Sequence, residues 1–221
     1  MAIVIDRTEG SSMNRRKALQ QLGALALLAS PMGLALGQAK ESFKALKSAV
    51  PTNTAGKIEV LEFFHYGCSH CRDFEPLVEQ WAKRLPGDVA FVQVPMVWGK
   101  PLEDLARLHY TLSVMKRLDL HAKIFVDVQD RKLPLDKPET VREWASANKL
   151  AVSDFMGIYN SFGVNIQVQR AKQLAGLYGI DSVPMIAVGG RFLTSASMAG
   201  NSHEAALKVA DSLVERIRKG E

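Results

Sequence analysis

The chain has 221 residues, 47% hydrophobic and 23% charged, with 28 Lys and Arg against 23 Asp and Glu. That length supports one good-sized domain or a domain carrying an insertion. Beyond the N-terminus the basic residues are scattered, which argues against a nucleic-acid partner, and two cysteines are too few for a structural disulfide framework.

The chain opens on a segment that reads as an address rather than as part of a fold. Asn14-Arg15-Arg16-Lys17 is a positive n-region, and Leu19 to Leu36 is an Ala/Leu-rich apolar run broken by Gly23, Pro31 and Gly33. Ala35-Leu36-Gly37 offers a small-x-small cleavage site before Gln38. Residues 1–37 are therefore expected to be a signal peptide, with an uncleaved membrane anchor as the alternative. Met13 begins a signal of ordinary length and is an alternative start. The Arg15-Arg16 pair with Leu19 partly resembles a twin-arginine signal but lacks the usual aromatic, which favours the general secretory route.

Gln38 to Asn53 is polar and mixed, with a short edge strand expected near Phe43 to Leu46. Ile58 to Phe64 is rich in β-branched and aromatic residues. Val60 and Phe64 face one way, Leu61 and Phe63 the other, the pattern of a central strand covered on both sides. Glu62 shares the Val60–Phe64 face and is expected to be buried. Burial raises a carboxyl pKa, so Glu62 can exchange a proton with a nearby thiol; the alternative is a structural carboxylate bonded to backbone.

Both cysteines follow at once, in Cys68-Ser69-His70-Cys71, at the start of a helix carrying Phe74, Leu77, Val78, Trp81 and Leu85 on one stripe. Pro76 lies inside that stripe, which predicts a bend rather than a stop. A thiol at a helix N-terminus meets unpaired backbone N–H groups and the positive end of the helix dipole, which favour its thiolate. In an exported protein, a lone pair so spaced is catalytic, redox-sensing or a staple, and a staple closing so small a loop stabilises little. Zinc is a further reading, but Cys68, Cys71 and His65 or His70 supply only part of a site, so no metal is expected.

Val89 to Val94 reads as a second strand after the Pro86-Gly87-Asp88 turn, giving strand–helix–strand. A long helical section is expected next. It holds helices over Pro101–Leu118 and Leu120–Val128, then one opened by a capping box of Asp136 and Glu139 ahead of Val141, Trp144 and Ala145. A helix capped by Ser153 with Phe155, Ile158, Tyr159 and Phe162 follows, and Val168–Tyr178 closes the section before Gly179. Met185 to Val188 and Arg191 to Thr194 read as strands joined by a Gly189-Gly190 hairpin turn, and Ser202 opens a last helix. Read alone, the Val183-Pro184 bond is expected to be trans, since about 5–6% of such bonds are cis.

The strand, Cys-x-x-Cys and proline-containing helix together resemble the thioredoxin fold. Glu62-Phe63-Phe64, Cys68-Ser69-His70-Cys71 and Phe74-Glu75 resemble the DsbA family of bacterial thiol oxidases in particular. The likeness covers about residues 40–218 and implies an α/β, thioredoxin-like fold with an inserted helical domain. Its first half spans 38–98, the helical insertion 99–175, and the second half 176–221. The resemblance further implies a cis Val183-Pro184 bond facing the cysteines, with the Val183 backbone presented to an extended peptide. Val183, Pro184 and Ser69 are thus the expected substrate-binding residues.

By the same resemblance, Cys68 is the nucleophile and Cys71 its shielded partner. His70 stabilises the Cys68 thiolate when protonated, against the alternative of an exposed polar spacer. Glu75 matches an acidic position of the family and is a candidate proton relay, against the alternative of a solvated helix carboxylate. Ser69 replaces the proline of the best-known family motif, and Gln93 stands where several members carry a lysine near the buried acid. The implied activity is a periplasmic protein thiol:disulfide oxidase donating its Cys68–Cys71 disulfide to folding exported proteins. It would act without further cofactor, as a monomer, reoxidised by a DsbB-type, quinone-linked inner-membrane partner. An isomerase or reductase of the same fold is the nearest rival, although the short Gln38–Asn53 segment leaves no room for an isomerase's dimerisation domain. A peptide-binding chaperone with an incidental disulfide is the non-enzymatic alternative.

Overall fold

The computed structural model describes residues 41–220; the signal-peptide reading of residues 1–37 falls outside them. Five strands form one sheet: β1 (Lys44–Ala45), β2 (Ile58–Phe64), β3 (Val89–Pro95), β4 (Met185–Val188) and β5 (Phe192–Thr194). Their order is β1-β5-β4-β2-β3, with β2 and β3 parallel and every other pair antiparallel. β2 is central and buried over most of its length, as its two apolar faces require. The register sets Glu62 opposite Gln93 on β3 and Ile186 on β4, so an acid and an amide become neighbours on one face.

Helix α1 (Ser69–Ala82) connects β2 to β3 and runs without a break through Pro76. Between β3 and β4 lie α2 (Lys100–Val114), a short 3-10 turn (Leu118–Leu120), α3 (His121–Gln129), α4 (Pro138–Ala147), α5 (Val152–Tyr159) and α6 (Phe162–Tyr178). Helix α7 (His203–Arg218) follows β5, its first turn capped by Ser202 Oγ accepting from the Ala205 N–H.

The core falls into three clusters. Leu61 and Phe63 pack against Ala171, Leu174 and Tyr178 of α6 on one face of the sheet. Val60 packs on the other face against Phe74, Val78 and Trp81 of α1 and Ala210 and Leu213 of α7. The third cluster joins Phe64, Tyr66 and Cys71 to Leu108 and Leu112 of α2, Ile124 and Phe125 of α3, Trp144 of α4 and Phe155 of α5. The end of the central strand and the inner cysteine thus belong to the helical core, where removing a large buried side chain costs about 2–5 kcal/mol.

Several helix boundaries differ from the sequence reading. Helix α2 ends at Val114, not Leu118, because Lys116 takes the left-handed conformation. The Arg117 N–H then reaches Leu112 O at 2.8 Å and the Lys116 N–H reaches Ser113 O at 3.1 Å, a Schellman ending built on lysine rather than glycine. Asp136 and Glu139 form no capping box: Pro138 sets the first turn of α4 behind Lys137, and Asp136 pairs with Lys137 instead. Ser153 lies inside α5, whose first turn closes when the Phe155 N–H donates to Ala151 O. Phe162 is not on the α5 stripe. Ser161 Oγ accepts from the Val164 N–H and starts α6 there, six residues before the expected Val168, leaving Phe162 77% exposed.

The Gly189-Gly190 turn has positive φ at both positions and closes with the Arg191 N–H donating to Val188 O at 3.1 Å, but the register pairs Val188 with Phe192, so three residues rather than the expected two separate the paired strand positions. A Cβ at Gly190 would lie 2.1 Å from Val50 O, so only glycine lets the segment after β1 close over the turn.

Candidate active site

Cys68 is the residue immediately before α1, in extended backbone, and its Sγ accepts from the Cys71 N–H at 3.3 Å. The thiol takes the place that a Ser or Asp would fill as an N-cap, so the orphan N–H groups of the first turn point at sulfur. The two cysteines are unbridged; Cys68 is half-buried and Cys71 fully buried. The Cys71 side chain donates to Cys68, and that hydrogen bond is the largest of the influences lowering the Cys68 thiol from about 9.0 to about 6. Burial opposes it, while the backbone N–H groups of Cys71 and His70 and the His70 charge add to it. Cys71 moves the opposite way: the same hydrogen bond, burial and the neighbouring Glu62 hold its proton in place.

Ser69 and His70 are exposed beside Cys68. The Val183-Pro184 peptide bond is cis, and Cys68 Sγ donates to Val183 O over 3.7 Å. A recess of about 280 Å³ runs alongside, lined by His70, Val183, Pro184, Ser195, Asn201 and His203 among others. The structure thus puts His70, Val183 and Pro184 on one opening, with Cys68 in contact with Val183 at its side.

Beneath Cys71 lies a buried polar cluster. Glu62 is 1% exposed, and burial raises its carboxyl to about 8, reinforced by the Glu75 charge and opposed by a hydrogen bond from Gln93. Glu75 is buried too, contrary to the solvated-carboxylate alternative, because the turn of α1 that follows Cys71 points into the core; burial likewise raises it to about 8. Gln93 Nε2 stands 3.0 Å from Glu62 Oε2, 3.1 Å from Glu75 Oε2 and 3.1 Å from His121 Nε2. His121 Nε2 is 3.1 Å from Glu75 Oε2, and burial lowers this imidazole to about 3. Around neutral pH the His121–Glu75 contact is therefore a hydrogen bond between a neutral acid and a neutral ring. His121 Nδ1 meets Tyr66 Oη at 2.7 Å, and His109 Nδ1 meets the same oxygen at 3.1 Å.

The sequence reading identified Glu62, Glu75 and Gln93 but missed Tyr66, His109, His121 and Gln129. Gln129 Nε2, at the end of α3, donates to Tyr66 O at 2.7 Å and to Cys68 O at 2.9 Å, tying the helical layer to the active-site turn. Nothing local marks these residues; only the strand register, which pairs Glu62 with Gln93, was available from the pattern of β2 and β3. Among the described residues no group of three His, Cys, Asp or Glu side chains is arranged to hold a metal ion.

No protein-family profile matches the chain. It is 42% identical over 200 residues to the thiol:disulfide interchange protein DsbA of Bordetella parapertussis, covering 90% of this chain and 96% of that protein. It is 34% identical over 202 residues to the protein of the same name from Pseudomonas aeruginosa, covering 89% and 95%. The crystal structure of Pseudomonas aeruginosa DsbA superimposes with a TM-score of 0.78 at 34% identity, over 81% of this chain and 94% of that one.

Proposed function

The chain belongs to the DsbA family of thiol:disulfide oxidoreductases, and from that premise we propose how its own residues carry out the exchange. It is a protein thiol:disulfide oxidoreductase of thioredoxin fold, an enzyme that donates a disulfide to folding proteins. The observation that carries the residue assignment is the Cys68 sulfur at the head of α1, 3.3 Å from the Cys71 N–H and 3.7 Å from Val183 O.

In the oxidised protein a client thiolate attacks Cys68 Sγ. The Cys68–Cys71 bond breaks, a client–Cys68 bond forms, and Cys71 leaves as a thiolate that takes a proton from Glu62. A second client thiolate then attacks the client sulfur, the client disulfide forms, and Cys68 leaves as a thiolate. That last step is favoured because the first turn of α1, the Cys71 thiol and His70 stabilise the anion. The Val183 backbone and Pro184 receive the client as an extended strand, with Ser69 at the edge of the contact, so recognition runs main chain to main chain. Glu75 shares the proton work of Glu62.

The protein acts, on this reading, as a monomer in the periplasm after removal of residues 1–37. No cofactor beyond the Cys68–Cys71 disulfide is needed, and a DsbB-type membrane partner restores that disulfide. The test is the equilibrium reduction potential in glutathione buffers. A value near the roughly −120 mV of DsbA, well above the roughly −270 mV of thioredoxin, is expected for a disulfide donor. A value near thioredoxin's would mean that Ser69 and Gln93 have reset the pair, and would overturn the donor reading.

A further inference from the structure

The hydrogens of the buried cluster can be counted. Tyr66 Oη has one proton and meets two ring nitrogens, His109 Nδ1 and His121 Nδ1, so one ring donates and the other accepts. His109 gives a hydrogen bond from its ring to the Gln93 backbone, which leaves its Nδ1 bare to accept from Tyr66. His121 must then donate through Nδ1, which leaves Nε2 bare and in need of a donor. Gln93 Nε2 has two protons for three acceptors: Glu62 Oε2, Glu75 Oε2 and His121 Nε2. The count closes when Glu75 carries a proton and donates it to His121 Nε2 across 3.1 Å. Tyr66 thereby fixes the tautomer that makes His121 the acceptor of the Glu75 proton.

His121 and Glu75 also border a cleft of about 310 Å³ whose other walls are Glu79, Gln93, Leu118, Asp119 and Ala122. Glu62 lies on the inner side, where its charge acts on Cys71. The cluster thus has one end at the buried thiol and the other at an opening that shares no lining residue with the client recess.

We propose that His121, oriented by Tyr66, is a positioning residue that holds the proton on Glu75 and exchanges it with solvent through this cleft, so that Glu62 is recharged without passing protons through the occupied client site. The inference rests on the reading of Glu62 as the proton partner of Cys71. When Cys71 leaves as a thiolate it takes the Glu62 proton, Glu75 returns one to Glu62, and water in the cleft resupplies Glu75. When a disulfide oxidant has formed a mixed disulfide with Cys68, Glu62 first releases its proton by way of Glu75 to the cleft, then takes the Cys71 proton as Cys71 attacks Cys68 Sγ. The oxidant's sulfur then leaves as a thiolate, and the proton exits by the same path. The titratable and charged groups facing His121 are Glu62 and Tyr66 from the β2 end, Glu75 and Glu79 from α1, His109 from α2 and Asp119 from the turn before α3.

The test separates the two sulfur steps. Reduced protein is mixed with oxidised glutathione and acid-quenched, and the Cys68–glutathione adduct is followed by mass spectrometry across a range of pH. His121→Asn keeps a donor towards Tyr66 but removes the Nε2 acceptor; Tyr66→Phe keeps the ring but removes the orienting hydroxyl. Both variants are expected to slow the Cys71 step by at least about tenfold at neutral pH and to displace its pH profile. The formation rate of the adduct, which reports Cys68, should be unchanged. A Cys71 pH profile that superimposes on that of the unaltered protein in Tyr66→Phe, or in a folded His121→Asn, overturns the inference. Glu62→Gln distinguishes the sources of failure. If it slows the Cys71 step while the other two variants do not, this inference falls alone; if it leaves that step unchanged, the Glu62 reading falls and the route with it.

Discussion

The two sulfurs of the active site are three residues apart, yet their surroundings are built on opposite plans. Cys68 is served almost entirely by its own stretch of chain: the N–H groups of α1, the Cys71 thiol and the adjacent His70. Cys71 lies against a cluster assembled from β2, α1, β3, α2 and α3, with partners up to 55 residues apart in sequence. The outer environment favours an anion and the inner one favours a held proton. A dithiol with that asymmetry has one good leaving group and one guarded resolving thiol, which is what stepwise exchange needs.

The largest effects should come from breaking the pair itself. Cys68→Ser is expected to abolish client oxidation completely; survival of the activity would return the chain to the peptide-binding reading. Cys71→Ser should differ in kind. With the resolving thiol gone, Cys68 still reacts, and disulfide-linked adducts should accumulate on non-reducing gels and by intact mass. If Cys71→Ser instead turned over normally, the two sulfurs would not be functionally distinct.

The same asymmetry predicts opposite pH dependences of stability. Glu62 and Glu75 are raised from 4.5 to about 8, so the folded state binds their protons more tightly than the unfolded chain does. The stability they contribute is fully present below pH 4.5 and is lost as pH rises to about 8. Cys68 is lowered from 9.0 to about 6, so its contribution grows from pH 6 to pH 9 and is lost as pH falls through 6. Only the reduced protein has that thiolate. Burial lowers His121 to about 3 and His109 well below 6.5, and this offsets the carboxyl loss up to about pH 6.5, so the thermal stability of the oxidised form should fall chiefly between pH 6.5 and pH 8, while the reduced form gains on it above pH 6. Parallel curves for the two forms would remove the thiolate from the account.

The difference between the two environments also decides what could be read in advance. The outer site was legible because most of its contributors are local signals: a β-rich strand, two cysteines at helix-start spacing and a histidine between them; Val183-Pro184 read alone pointed to a trans bond, and only the family resemblance set it, in cis, beside the cysteines. Glu62 was legible as a buried acid because period-two alternation put it on an apolar face. His109, His121 and Tyr66 carry no such mark. Each reaches the cluster through helix packing around Phe64 and Phe125, and each would pass in sequence for an ordinary core aromatic or a surface polar residue. The misplaced end of α2 has a related cause. Lys116 there occupies a left-handed position usually taken by glycine, so nothing in the local sequence marked that stop.

Two smaller substitutions sharpen the boundary between the regions, because both remove ties from α3 to the active-site turn. Gln129→Ala leaves the Tyr66 and Cys68 carbonyls without their side-chain donor, and should cost about 1–3 kcal/mol in denaturant unfolding. The Cys68 thiolate titration, followed by absorbance, should hardly move, since the groups that lower it are the Cys71 thiol, the N–H donors of α1 and His70, not the clamped carbonyls. Arg72→Ala removes an ion pair with Asp130 between exposed ends of α1 and α3, and should cost less than about 1 kcal/mol, with the loss shrinking as salt is added. The two positions link the same elements, so geometry alone would rank them equally; what separates them is that one satisfies part-buried backbone and the other joins charges that water serves nearly as well. Arg72→Ala proving the costlier of the two in high salt would mean that the helical layer is held to the active-site helix from its surface. The placing of Cys71 beneath that layer would then depend on exposed charge rather than on the core.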